Sequence, residues 1–111
     1  MIKDGQMQQM YYDTNVGRAT YRTAIGVMPN NDIWLYCTKN SLTPVQLQQI
    51  AFNAGCKHAL MLDGGASTQC TTPTETILST RKVHNYICVW DYDSITDDEK
   101  CIAYNTLADI K

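Results

Sequence analysis

Residues 43–68, TPVQLQQIAFNAGCKHALMLDGGAST, carry the strongest local signals in the sequence. The first residue of this stretch is a favourable helix N-cap, Pro44 suits the first helical position, and Gln46 completes a capping box. Apolar residues then recur at helical spacing as far as Gly55, a residue type that commonly ends helices. The pattern predicts a helix over residues 44–54.

The second part of this stretch predicts a strand that ends in a glycine turn. His58 to Leu62, HALML, is an apolar run too short for a helix and suited to a buried strand. Asp63-Gly64-Gly65 follows at once, and then the hydroxyl pair Ser67-Thr68. Glycines let backbone N–H groups approach a ligand closely, and consecutive N–H groups can form a concave anion site. A purely structural turn has the same composition, so both interpretations stand at this point.

The residues before the helix predict a β-hairpin. Residues 21–27, within TYRTAIGV, are rich in β-branched and aromatic side chains. Turn-forming residues occupy positions 28–32, and Ile33 to Cys37 then reads as the partner strand. After the glycine turn, residues 77–80 are expected to be extended. A further strand is predicted over 83–90, VHNYICVW.

Two arginines fall at positions from which they can reach one site. Arg22 lies in the first strand of the hairpin, and Arg81 directly precedes the last predicted strand. A guanidinium can hold two phosphate oxygens at once. Each arginine alone is more often a surface charge. Convergence of both on the Asp63 turn would favour a phosphate site over that interpretation.

Length and charge restrict the protein class. The chain has 111 residues, 9 basic and 11 acidic, with a net charge of −2. Such a length predicts one small domain, and the near-neutral balance argues against a nucleic-acid partner. No apolar run approaches the roughly 20 residues that a membrane helix needs. The start, MIKDGQMQQM, lacks the apolar region of a secretory signal, so a cytoplasmic location is expected.

The cysteines and histidines do not have the spacing of a metal site. The five cysteines include no CxxC pair, and both histidines are isolated in sequence. We therefore expect reduced, mostly buried thiols, with no structural metal and no cofactor.

The last part of the chain differs in charge from the rest. Residues 91–111 hold 2 basic and 6 acidic residues, whereas residues 1–90 hold 7 basic and 5 acidic ones. The sequence Thr96-Asp97-Asp98-Glu99 resembles a capping box, which predicts a C-terminal helix. Its expected buried face comprises Ile102, Ala103, Leu107 and Ile110.

The complete pattern predicts an α+β domain, with a twisted mixed sheet, one central helix and this second helix. Its segments are residues 1–20, a core over 21–90, and the acidic element 91–111.

The order of these motifs resembles the phosphodiester glycosidase family. The resemblance rests on RTAIGV, the helix with its LDGGAST turn, and TRKVHNYICV, and so covers roughly residues 21–90. It implies hydrolysis at a sugar carbon that bears a phosphodiester. It also implies an α/β domain around a twisted sheet. Carried over by position, Asp63 becomes the catalytic candidate. The ligand-binding candidates are Arg22, Gly64, Gly65, Ser67, Thr68, Arg81 and Asn85.

Departures from the family pattern leave alternatives open. Only the C-terminal half of the longer family members is matched, and no Asn-Gly-Gly-x-Phe segment precedes the hairpin. Glycoside hydrolysis usually needs two carboxylates. Only Asp63 lies in a matching motif. The second carboxylate could come from Asp32, from Glu75, from the acidic residues of 91–111 or from a partner subunit.

The expected ligand is a small phosphorylated sugar or nucleotide, and the expected assembly is a homodimer or higher oligomer. The alternatives to a hydrolase are a non-catalytic sponge, such as a phage protein that sequesters a sugar-nucleotide immune signal, and a structural remnant.

Overall fold

The computed structural model describes residues 1–89, which form a five-stranded sheet with one main helix. In chain order the elements are β1 (Ile2–Lys3), β2 (Gln6–Met7), α1 (Thr14–Gly17), β3 (Thr20–Val27), β4 (Ile33–Leu42), α2 (Pro44–Asn53), β5 (His58–Met61), β6 (Cys70–Thr71) and β7 (Thr76–Ile77). The sheet order is β2-β1-β5-β3-β4, and each neighbouring pair in it is antiparallel. Strands β6 and β7 form a separate small ladder. The α+β class expected from the sequence is confirmed.

The predicted hairpin is present and longer than expected. Strands β3 and β4 pair from Val27↔Ile33 to Thr20↔Leu42. Their turn is closed by the amide of Met28, which donates to the Asp32 carbonyl at 2.8 Å. The second strand continues beyond its predicted end because β3 offers backbone partners along its whole length.

Helix α2 begins and ends at the signals in its sequence. The Thr43 hydroxyl accepts from the Gln46 amide at 3.3 Å, and the Gln46 side chain accepts from the Thr43 amide at 2.9 Å. The helix ends at Asn53, and Gly55 has a φ of +88°. Leu47 and Ala51 are completely buried, so this face of the helix covers the sheet. The helix prediction is confirmed to within one residue.

Of the N-terminal hairpin β1–β2, only the turn was predicted from the sequence. Asp4 and Gly5 form the expected turn, both with positive φ. Ile2 pairs with Ala59 of β5 and is only 4% exposed. A two-residue strand is too short to show a hydrophobic pattern, and β1 pairs with a strand that comes more than fifty residues later in the sequence.

The strand predicted over residues 83–90 is wrong within its described part, because residues 83–89 form no strand. Alternation predicts a strand only if one face is buried. Here Tyr86, Ile87 and Val89 are more than half exposed. The extended segment expected at 77–80 is instead the short strand β7, at Thr76–Ile77. The predicted C-terminal helix, with its capping box at 96–99, lies outside the described residues.

Among residues 1–89, no helix has the length and apolar character needed to cross a membrane.

Candidate functional site

The Asp63 turn is fastened to strand β3. The Leu62 amide donates to the Thr23 carbonyl at 2.9 Å, and the Thr23 hydroxyl donates to the Asp63 carbonyl at 2.6 Å. The carboxylate of Asp63 also accepts from the Gly64 amide at 3.0 Å. The turn therefore has a defined position at the end of β5, while the Asp63 side chain stays 76% exposed.

Gly64 allows the turn to lie directly against β3. A Cβ atom at this position would lie 2.5 Å from the Tyr21 carbonyl oxygen, a distance that no real Cβ contact sustains. The backbone of Gly64 is extended, with a φ of −133°, so the need for glycine here is steric. Gly65 differs, because its φ of +58° lies in the left-handed region.

Arg81 joins the turn from the segment that follows the β6–β7 ladder. Its Nε donates to the Ser67 hydroxyl at 2.7 Å, and its Nη2 lies 3.5 Å from Asp63 Oδ2. A backbone hydrogen bond of 3.0 Å from the Thr80 amide to the Ala66 carbonyl fastens the same segment. Of the residues predicted for the site, the structure thus brings together Asp63, Ser67 and Arg81.

Arg22 has a different environment from Arg81. It is 4% exposed, and its guanidinium donates to the carbonyls of Leu42 at 3.0 Å, Val16 at 2.7 Å and Arg18. Its Nη1 lies 3.7 Å from the sulfur of Met61, which precedes the glycine turn. Burial, and to a lesser degree the charge of Arg18, lowers the pKa of Arg22. In this geometry Arg22 ties the backbone together beneath the site, and its role as a phosphate ligand stays a prediction.

The remaining candidates differ in accessibility. Thr68 is 1% exposed, and its hydroxyl has no hydrogen-bond partner among the described residues. Ser67 is also buried, yet its hydroxyl contacts Arg81. Asn85 is exposed, and within residues 1–89 no hydrogen bond joins its side chain to the turn. The positions of Thr68, Ser67 and Asn85 in the sequence do not predict which of them is buried, hydrogen-bonded or exposed.

An open surface depression of about 470 Å³, called the cavity below, adjoins the turn and includes Arg81 in its lining. This size falls in the range of small-molecule sites, roughly 300–1,000 Å³. Its lining residues are Gln69, Ser79, Thr80, Arg81, Lys82, Val83, His84 and Tyr86. Sequence reasoning named only Arg81 among them. The adjacent cations Arg81 and Lys82 were the available signal, and the residues directly after them, from Val83 onward, were predicted to form a strand and not part of a cavity lining.

Among the four described thiols, Cys56 is buried, Cys37 and Cys70 are half-buried and Cys88 is exposed, so the expectation of mostly buried thiols is not met. Burial, together with the neighbouring Cys70 thiol, raises the pKa of Cys37 to about 11. Burial also raises the pKa of Cys56, which belongs to the hydrophobic core. Both shifts favour the protonated, unreactive thiol. Within residues 1–89 no group of three or more His, Cys, Asp or Glu side chains is placed to hold a metal ion.

Comparisons with known proteins identify the family and the fold of this chain. The family profile described as phosphodiester glycosidase matches residues 1–90. A solved structure, a hypothetical protein from Synechocystis, shares the fold with a TM-score of 0.61 and 24% sequence identity. The match covers 71% of this chain but only 17% of that protein, so the present chain spans a small part of its length. No curated protein matches this sequence. Because the family profile covers most of the chain, including the hairpin, helix α2 and the Asp63 turn, this protein belongs to the phosphodiester glycosidase family.

Proposed function

We propose that this chain binds a sugar or nucleotide phosphodiester at the Asp63 turn and hydrolyses it at the sugar carbon. The single observation that supports this most is the position of Arg81, whose guanidinium contacts both Ser67 and Asp63. Membership of the glycosidase family supports the same general chemistry. A cation beside a hydroxyl and a carboxylate suits a phosphate ester next to a sugar.

The exposure of the Arg81–Asp63 ion pair favours exchange with a ligand. Their side chains are 57% and 76% exposed, and pairs of this kind contribute at most about 1 kcal/mol of stability. An incoming phosphodiester is itself anionic, so it can take the place of the carboxylate next to Arg81 at little energetic loss. Asp63 would then be released from its partner and positioned to transfer a proton to or from the reacting oxygen.

The other candidates have supporting roles in this proposal. Gly64 and Gly65 keep the turn against β3 and leave room for the ligand, and Ser67 orients Arg81 through its hydroxyl. Arg22, Thr68 and Asn85 are retained as ligand-binding candidates from the family pattern. A second carboxylate would come from outside this cluster, for which a partner subunit in a homodimer is one source.

Sequestration without cleavage is the second candidate function. Among the described residues, Asp63 is the one carboxylate that contacts the Ser67–Arg81 cluster. Glycoside hydrolysis commonly uses two carboxylates on either side of the scissile bond. A chain that keeps the phosphate contacts but lacks the second acid would hold its ligand intact.

The two functions are separated by incubating the protein with the methyl ester of N-acetylglucosamine 1-phosphate. Binding is measured by calorimetry and the products by mass spectrometry. We expect Arg81→Met to weaken binding roughly tenfold to a hundredfold, because a charge-assisted contact is lost. Asp63→Asn should retain binding and abolish release of the free sugar. Lys57→Ala, which removes an exposed cation at the opposite end of β5, is the matched control.

Each outcome of this experiment has one meaning. Release of free sugar by the wild type but not by Asp63→Asn supports hydrolysis. Recovery of the intact ester from a wild-type complex that depends on Arg81 supports sequestration. If the wild type does not bind the ester, or if Arg81→Met binds it as well as Lys57→Ala does, the proposed site is refuted.

A further inference from the structure

The cavity beside Arg81 has a chemistry that the glycine turn does not have. Two cationic side chains, those of Arg81 and Lys82, line it together with the imidazole of His84 and the phenol of Tyr86. None of its lining residues within the described part of the chain is a carboxylate. A cavity of this composition favours an anionic occupant with several oxygen acceptors.

The cavity and the turn share Arg81 as a common wall. The guanidinium of Arg81 faces the turn through Ser67 Oγ at 2.7 Å and Asp63 Oδ2 at 3.5 Å. The next residue, Lys82, belongs to the cavity lining and not to the turn. A ligand that contacts Arg81 from the cavity therefore also lies next to Lys82.

Two hydrogen bonds join the cavity lining to the residues that follow the glycine turn. The Thr80 amide donates to the Ala66 carbonyl at 3.0 Å, immediately before the two cations. The Ser79 hydroxyl donates to the Gln69 side chain at 3.0 Å, and both of these residues line the cavity. The cavity lining is therefore tied to the turn, which is what a binding site with two neighbouring subsites needs.

We propose that the cavity is a second anion subsite and that the ligand class is a sugar diphosphate ester, with one phosphate at Arg81 and the next at Lys82. This inference rests on the proposed function, since it extends the ligand from the same turn. The charge of Asp63 partly neutralises Arg81, whereas within residues 1–89 no acidic side chain is paired with Lys82. Lys82 is therefore the residue that distinguishes a diphosphate from a monophosphate ester.

The test compares a ligand that carries a diphosphate and a uridine with a ligand that carries a single phosphate and a methyl group. UDP-N-acetylglucosamine carries a diphosphate, and the methyl ester of N-acetylglucosamine 1-phosphate carries one phosphate. Calorimetry at fixed salt measures both affinities for the wild type, Lys82→Ala and the charge-matched control Lys57→Ala. We expect the diphosphate to bind the wild type about tenfold more tightly than the monoester. Lys82→Ala should remove that preference while leaving the monoester affinity within twofold, and Lys57→Ala should change neither.

The outcomes separate this inference from the proposed function. If the wild type binds the monoester but shows no preference for the diphosphate, the second subsite is overturned and the turn remains a phosphate site. The same conclusion follows if Lys82→Ala weakens both ligands equally. If neither ligand binds, the proposed function fails and the diphosphate inference fails with it. A titration in which uridine matches UDP-N-acetylglucosamine would assign the preference to the base and overturn the role of Lys82.

Discussion

Replacement of Gly64 by alanine tests whether the Asp63 turn lies directly on strand β3. The added Cβ would lie 2.5 Å from the Tyr21 carbonyl oxygen, whereas ordinary contacts begin at 3.4 Å. The obstacle is backbone in a paired strand, so the turn must move away by about 0.9 Å to relieve the overlap. A displacement of that size would stretch the 2.6 Å hydrogen bond between the Thr23 hydroxyl and the Asp63 carbonyl to the limit of bonding distance.

The expected loss follows from these two effects. Overpacking costs about 1–3 kcal/mol, and a lost hydrogen bond adds about 1 kcal/mol. We therefore expect Gly64→Ala to lower the free energy of unfolding by about 3 kcal/mol. Urea unfolding followed by circular dichroism measures this loss as a lower transition midpoint with an unchanged slope.

Gly5→Ala is the matched control for the same substitution without a clash. Gly5 has a φ of +73°, and a Cβ there meets no atom within 4 Å. The free energy of unfolding of Gly5→Ala should therefore fall only by the cost of placing alanine in the left-handed region, about 1–2 kcal/mol. If Gly64→Ala lost no more stability than Gly5→Ala, the close approach of the turn to β3 would be refuted. The placement of Asp63 beside Ser67 and Arg81 would then need a different explanation.

Two other predictions concern the buried Arg22 and the half-buried thiol of Cys37. Arg22→Met should lower the free energy of unfolding by about 3 kcal/mol, measured by urea unfolding, because three backbone carbonyls lose their donor. Arg81→Met removes only an exposed ion pair, so it should lower the free energy of unfolding by less than about 1 kcal/mol. Equal losses in the two variants would contradict the structural role of Arg22. For Cys37, the folded-state pKa of about 11 lies above the thiol's ordinary 9, so its contribution to stability is complete below pH 9 and is lost as the pH rises toward 11. Unfolding of Cys37→Ala should show a smaller loss of stability over that pH window than the wild type, and parallel curves would exclude the shift.

Some residues of the site could be predicted from the sequence more easily than others. The DGG turn was recognised because its glycines directly follow a short apolar run, a pattern confined to a few residues. The contact of Arg81 with Ser67 spans fourteen residues, and it was anticipated only as one possible convergence. Arg22 was grouped with Arg81 because the two have the same side chain, yet burial gives one of them backbone carbonyls as partners. Residue type alone does not report which environment a guanidinium will occupy.

Local signals in the sequence were sufficient for the hairpin β3–β4, for helix α2 and for strand β5, which precedes the Asp63 turn. Each depends on neighbouring residues, through turn geometry, a capping box or an apolar run. The tertiary structure alone decided the pairing of β1 with β5, the burial of Arg22 and the cavity next to Arg81. Those features join segments far apart in the chain, and their free energy comes from packing and desolvation that exist only after the sheet has assembled. The same difference explains why residues 83–89 alternate like a strand without forming one: the alternation is local, but the partner and the burial that a strand needs are not.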